Sequence, residues 1–148
     1  MELKELSPDS RVWIYKSNRP ISEEEQSQIT NELNAFIPTW AAHGNELFGA
    51  AEIVKDWFVV LAVDESKSYA SGCSIDSSVQ VIKSLGAKLN IDFFDRMHVL
   101  IERDDKLENV HFSNLAKYPE SRVYNPLIEK LGDYLSNWLV KVNESSFI

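Results

Sequence analysis

Apolar residues in this chain fall into short runs at two alternating spacings. Arg11–Lys16 (Arg-Val-Trp-Ile-Tyr-Lys) is rich in β-branched and aromatic residues and predicts a first strand, ended by the turn chemistry of Ser17-Asn18-Arg19-Pro20. Ser22, three residues before Glu25 with Glu23 and Glu24 between, has the form of a capping box with an acidic first turn. Ile29, Leu33, Phe36, Ile37 and Trp40 extend it as one apolar face at helical spacing, and Pro38 ends or kinks the helix. After a turn at His43-Gly44-Asn45, Phe48–Lys55 reads as a second strand. Trp57–Val63 is a third, joined to the second by a tight hairpin at Lys55-Asp56. The third run is apolar at every position, which predicts a strand covered on both faces.

A polar loop, Asp64–Gly72, leads into a second helix with Ile75, Val79, Ile82, Leu85 and Leu89 on one face and Asn90 as its C-terminal cap. Met97–Ile101 supplies a fourth strand. The order β-α-β-β-α-β is that of an α+β, ferredoxin-like sandwich, with a core over residues 11–101. Residues 102–124 are polar and form an extension in which Asn109–Ser113 is a further short-strand candidate. Asn125-Pro126 has the N-cap and N1 pattern of a third helix over about 125–142. Its apolar face, Leu127, Leu131, Tyr134, Leu135, Trp138 and Val142, is expected to close the open face of the sheet. The chain of 148 residues is thus read as one domain.

Composition narrows the setting. The formal net charge is −8 and Lys and Arg are scattered, so no basic footprint for nucleic acid or for an anionic membrane is present. One cysteine excludes an internal disulfide and a CxxC redox pair. The longest apolar run is too short to span a bilayer, and the first residues lack a secretory h-region. A reduced, cytoplasmic setting is the expectation. P-loop, Gly-x-Gly-x-x-Gly, Gly-x-Ser-x-Gly and His-Glu-x-x-His motifs are all missing from the sequence, and no cofactor is expected.

The candidate chemistry centres on Ala70-Ser71-Gly72-Cys73-Ser74-Ile75-Asp76. It places the single cysteine at the start of the second helix, where unpaired backbone N–H groups favour an anion. The assumed topology brings His43 and Asp64 to the same end of the sheet. The functional reading makes Cys73 a nucleophile, His43 its base and Asp64 the group that orients His43. Gly72 allows close approach of a small anionic or acyl ligand, and Ser74 and Asp76 belong to the amide-bearing first turn that would hold it. A metal reading of the same residues lacks any HxxxH or CxxC spacing. The alternative reading is a non-catalytic interaction module with Cys73 as a small buried packing residue. There, the second strand would be a sheet edge, which leaves homodimerisation open. His98, in a strand pattern, and His111, in a polar stretch, read as structural residues.

Trp40-Ala-Ala-His43-Gly44, Asp64-Glu65-Ser66 and Ser71-Gly-Cys-Ser-Ile-Asp76-Ser-Ser-Val79 resemble a family of small bacterial proteins of uncharacterised activity. Some members are labelled ABC transporter ATPase. The resemblance runs from Arg11 to about Val99 and onto the last helix. It implies that the His43, Asp64 and Cys73 segments define the family, and it carries no catalytic residues over.

Overall fold

The computed structural model describes residues 2–42, 45–66 and 70–145. It is a mixed α and β architecture in which a helical layer, a three-stranded sheet and a four-stranded sheet stack in turn. The first sheet contains β1 (Arg11–Lys16), β4 (Phe48–Val54) and β5 (Phe58–Asp64) in the order β1-β5-β4, both pairs antiparallel. β2 (Ala41–Ala42) and β3 (Asn45–Glu46) form a separate short antiparallel ladder. The second sheet contains β6 (His98–Arg103), β7 (Lys106–His111), β8 (Arg122–Tyr124) and β9 (Leu139–Lys141), in the order β7-β6-β8-β9.

Strand β5 runs through the middle of the core, and its alternation decides what each layer touches. Val59, Leu61 and Val63 face α1 (Glu23–Phe36) and α2 (Gly72–Leu89), where they meet Ile29, Leu33, Trp40, Ile82 and Leu85. Phe58, Val60 and Ala62 face the second sheet and meet Leu100, Tyr124, Leu131 and Trp138. The unbroken apolar run is therefore a strand buried on both faces, as its composition implies. Val99, Ile101, Val110 and Val123 line the outer face of the second sheet, covered by Leu115 and Val142 from two short 3-10 turns.

Local signals work as the sequence suggests. The Ser22 Oγ accepts from the Glu25 N–H at 3.2 Å, and the Ser22 N–H donates back to Glu25 at 3.0 Å. Helix α1 gives way at Phe36 to a 3-10 turn carrying Pro38. Asn90 closes α2 in the left-handed conformation (φ 55°). Lys55 and Asp56, both at positive φ, turn the β4–β5 hairpin, and Asp104 and Asp105 do the same between β6 and β7.

Three expectations change. The ferredoxin-like arrangement requires the first and third strands to lie parallel and the fourth to join their sheet. Instead β1 is antiparallel to β5, with Arg11 opposite Val63, and the fourth strand heads its own sheet. The reason lies in the polar extension: Lys106–His111 and Arg122–Tyr124 pair on either side of β6. The strand thus finds both partners locally. Residues 102–124 accordingly carry two strands and a 3-10 turn.

The C-terminal helix is also shorter than expected. It spans only Leu131–Asn137 (α3), and Leu139–Lys141 continue as a strand. Leu131, Tyr134 and Trp138 are buried at spacings of three and four, whereas Leu127 and Leu135 are exposed. Residues 129–131 are held extended against β1, where the Val12 N–H donates to Glu129 and the Leu131 N–H to Ser10. Helix formation before Leu131 would break that pairing.

Candidate functional site

Two groups of polar side chains stand at opposite ends of the first sheet. The antiparallel register puts Arg11 opposite Val63 at one end and Lys16 opposite Phe58 at the other. The first end carries the sequence-derived candidates.

At that end β5 finishes at Asp64, whose Oδ1 accepts from the Ser66 N–H at 3.0 Å. The Glu65 carboxylate accepts from the Ala70 N–H at 2.7 Å and stands 3.8 Å from the Arg11 guanidinium. These contacts shape the approach to α2. Ser71 is the N-cap, and Ser74 completes a reciprocal capping box: each hydroxyl accepts from the other residue's N–H, at 3.1 and 2.7 Å. Trp40, fully buried, donates from its indole to the Ser74 carbonyl at 2.8 Å, tying α2 to the segment that follows α1. A Cβ on Gly49 would lie 3.0 Å from the Trp40 ring, so a side chain there competes with the indole for space.

Cys73 is exposed. This corrects the packing alternative: the buried positions of the first turns are Ser74 and Ser78, and their small size lets α2 settle close to the sheet. The apolar spacing of Ile75 and Val79 points to the wrong face at the start of α2, because polar Ser74 and Ser78 occupy the buried stripe. Ser74 is unavailable as a ligand donor, since its N–H is spent on Ser71 and its hydroxyl donates to the Ser71 carbonyl at 2.8 Å. Asp76 is exposed. The amides of Gly72 and Cys73, at the first two helical positions, have no acceptor within the helix. Among the described residues nothing lies within 4 Å of a Cβ placed on Gly72. His43 lies outside the described residues. Two clefts among the described residues, of about 480 and 500 Å³, are lined elsewhere: one between α1 and α2 around Phe36 and Val81, the other around Arg103 and Tyr118.

The opposite end holds a cluster that the sequence did not single out. The Lys16 ammonium donates to the Ser17 carbonyl at 2.9 Å and to Asn109 Oδ1 at 2.8 Å, linking the two sheets. Burial pushes its pKa below the ordinary lysine value, against the opposing pull of Asp95 and Asp92. Asp95 Oδ2 lies 2.7 Å from His98 Nδ1. Burial of Asp95 works against its charge, but the Met97 N–H and His98 outweigh it and lower its pKa. His98 faces His111 across the β6–β7 pair, with ring centroids 5.4 Å apart. No sequence motif joins these residues, because the first ends β1, the next two lie just before and at the start of β6, and the last ends β7.

Among the described residues no group of three or more His, Cys, Asp or Glu side chains is placed to hold a metal ion. Nor, among them, is any helix long and apolar enough to cross a membrane. No family model, no curated protein and no solved structure matches this chain.

Proposed function

We propose that this protein works through the Cys73 end, presenting a thiol and the amides of Gly72 and Cys73 to a small anionic or acyl ligand. The observation that carries the reading is the exposed Cys73 on the first turn of a well-capped, eighteen-residue helix. In a covalent step Cys73 Sγ attacks the acyl carbon, an S–C bond forms, and the leaving group departs with the thiol proton. His43 is the proposed carrier of that proton and Asp64 its orienting carboxylate.

Alkylation with charged and neutral reagents tests this. Native Cys73 is expected to react with iodoacetate, relative to iodoacetamide, faster than the same thiol does in the urea-unfolded chain. The Gly72→Ala variant fills open space at a position where alanine suits a helix, so it should fold normally and yet lose that preference. A native preference for the neutral reagent would mean that Glu65 and Asp76 dominate the local field, and the anion site would fall.

A second reading has its own observation. Phe94, Met97 and Phe112 are exposed near the His98 end, at 36%, 50% and 51%, and β4 is a sheet edge. An interaction module would use such surfaces. Under it, Cys73→Ser and Gly72→Ala would leave function unchanged.

A further inference from the structure

We infer that His98 and His111 form a two-imidazole site for a divalent transition metal ion of the zinc, nickel or copper class, with Asp95 supporting His98 from behind. The strand register supplies the first support. The Phe112 N–H donates to the Met97 carbonyl at 2.9 Å, so Met97 and Phe112 are a hydrogen-bonded pair. The adjacent pair, His98 and His111, is therefore of the non-hydrogen-bonded kind, in which side chains on one face stand closest.

The ring geometry agrees. Two imidazoles bound to one ion through nitrogens about 2.0–2.1 Å from it, at a tetrahedral angle, have centroids roughly 5 Å apart. The observed separation is 5.4 Å with the planes at 82°.

Hydrogen bonding settles which nitrogens remain. His98 Nδ1 is taken by Asp95, which favours the tautomer with its proton on Nδ1 and the lone pair on Nε2, the carboxylate–histidine pattern of metal sites. His111 Nδ1 accepts from the Ser113 N–H at 3.2 Å, so its Nε2 carries the proton in the free protein; a metal ion there displaces that proton to Nδ1, which the Ser113 Oγ at 2.7 Å is placed to accept from. Both rings are half-buried, which limits competition from bulk water without closing the approach. Lys16 also acts on the carboxylate through its charge, and its ammonium is held by Ser17 and Asn109 with Asp95 and Asp92 offsetting it. Two protein nitrogens leave the remaining coordination positions to solvent or to a donor brought by a bound molecule. Such a site is exchangeable, unlike the closed four-ligand sites that hold a fold together.

The test is a zinc chloride titration by calorimetry on the full chain carrying Cys73→Ser and His43→Ala, so that neither the thiol nor the third imidazole contributes. One zinc per chain is expected, together with two-nitrogen hyperfine structure when copper(II) replaces zinc in electron paramagnetic resonance. His98→Ala and His111→Gln should each weaken binding at least tenfold. Asp95→Asn should weaken it about 10–100-fold while leaving the thermal transition of the metal-free protein nearly in place. Absence of saturable zinc binding overturns the inference, as does an affinity unmoved by any one of these three substitutions.

Discussion

The two sheets bury apolar surface with different materials. On the helix side of β5, two long capped helices bring Ile29, Leu33, Ile82 and Leu85 over the strands, and Trp40 locks the layer by donating to Ser74. The four-stranded sheet has no helix of comparable length. Its outer face is closed by Leu115 and Val142 from 3-10 turns, and its inner face by aromatic contacts among Phe58, Tyr124, Tyr134 and Trp138 with centroids 4.5 to 5.2 Å apart. A helical layer is assembled from periodic local signals and then docked. The second layer exists only once strands distant in sequence have paired. Damage to the first should therefore be felt at the Cys73 end, and damage to the second at the histidine pair.

The strongest way to break the contrast is Trp40→Ala. It removes a fully buried indole and leaves the Ser74 carbonyl without its donor, for an expected loss of about 3–5 kcal/mol in urea unfolding. Cys73 alkylation should change in the same variant, because the start of α2 loses its anchor. On the other layer, Leu131→Ala should cost roughly 2–5 kcal/mol, whereas Leu135→Ala, four residues on and 55% exposed, should stay within about 0.5 kcal/mol. Equal effects would restore the longer amphipathic helix and undo the observed start of α3.

Gly86→Ala sharpens the helix side. A Cβ there would lie 2.6 Å from the Ile91 carbonyl oxygen, where the chain folds back after Asn90. Overpacking against backbone should cost about 1–3 kcal/mol despite the better helix propensity of alanine.

Smaller again is the Arg19–Glu25 pair. Arg19 bonds both Glu25 oxygens, at 2.8 and 2.7 Å, and the Leu89 carbonyl at 2.8 Å, joining the start of α1 to the end of α2. The Arg19 hydrogen bonds, then the Ser22 N–H, pull the Glu25 carboxyl down to about 2. A folded-state value below the unfolded one means the stabilisation is present above the ordinary glutamate value and is lost as pH falls toward 2. Arg19→Ala should cost about 1 kcal/mol at neutral pH, after allowance for solvent screening, and flatten that acid limb. At the alkaline side the sign reverses. Burial first, then the charge of Glu52, pushes the Tyr134 phenol up to about 12, so stability falls as pH rises from the ordinary tyrosine value near 10 toward 12. Tyr134→Phe should remove part of that loss.

The smallest expected effect is a gain. Asp105 holds φ 62° in the β6–β7 turn, a conformation that costs a non-glycine residue roughly 1 kcal/mol. Asp105→Gly should raise the unfolding midpoint slightly and leave the helix-covered sheet untouched.

Much of the candidate site was legible before any tertiary contact. Cys73 lies at the start of α2, as the sequence predicts, and the structure adds Ser71 as the N-cap, because a helix start is a property of four or five neighbouring residues. What could not be read locally was the direction of each side chain. The apolar positions Ile75 and Val79 suggested one face of α2, yet Ser74 and Ser78 are the buried ones, since close approach to the sheet and the bond from Trp40 reward small residues there. The Lys16, Asp95, His98 and His111 cluster was invisible for a related reason: three separate segments contribute to it.

The sequence alone determined the elements governed by neighbours: the two capped helices, the Lys55-Asp56 hairpin and a β5 apolar on both faces. Those features follow from dihedral preferences, hydrogen bonds within a turn or two, and the period of side-chain burial. Tertiary structure alone decided strand partnership. β6 left the first sheet because β7 and β8 flank it, and residues 129–131 stayed extended because β1 offered its edge. Backbone N–H and C=O groups are alike along every strand, so the pairing is set by which segments can meet while keeping their apolar faces buried.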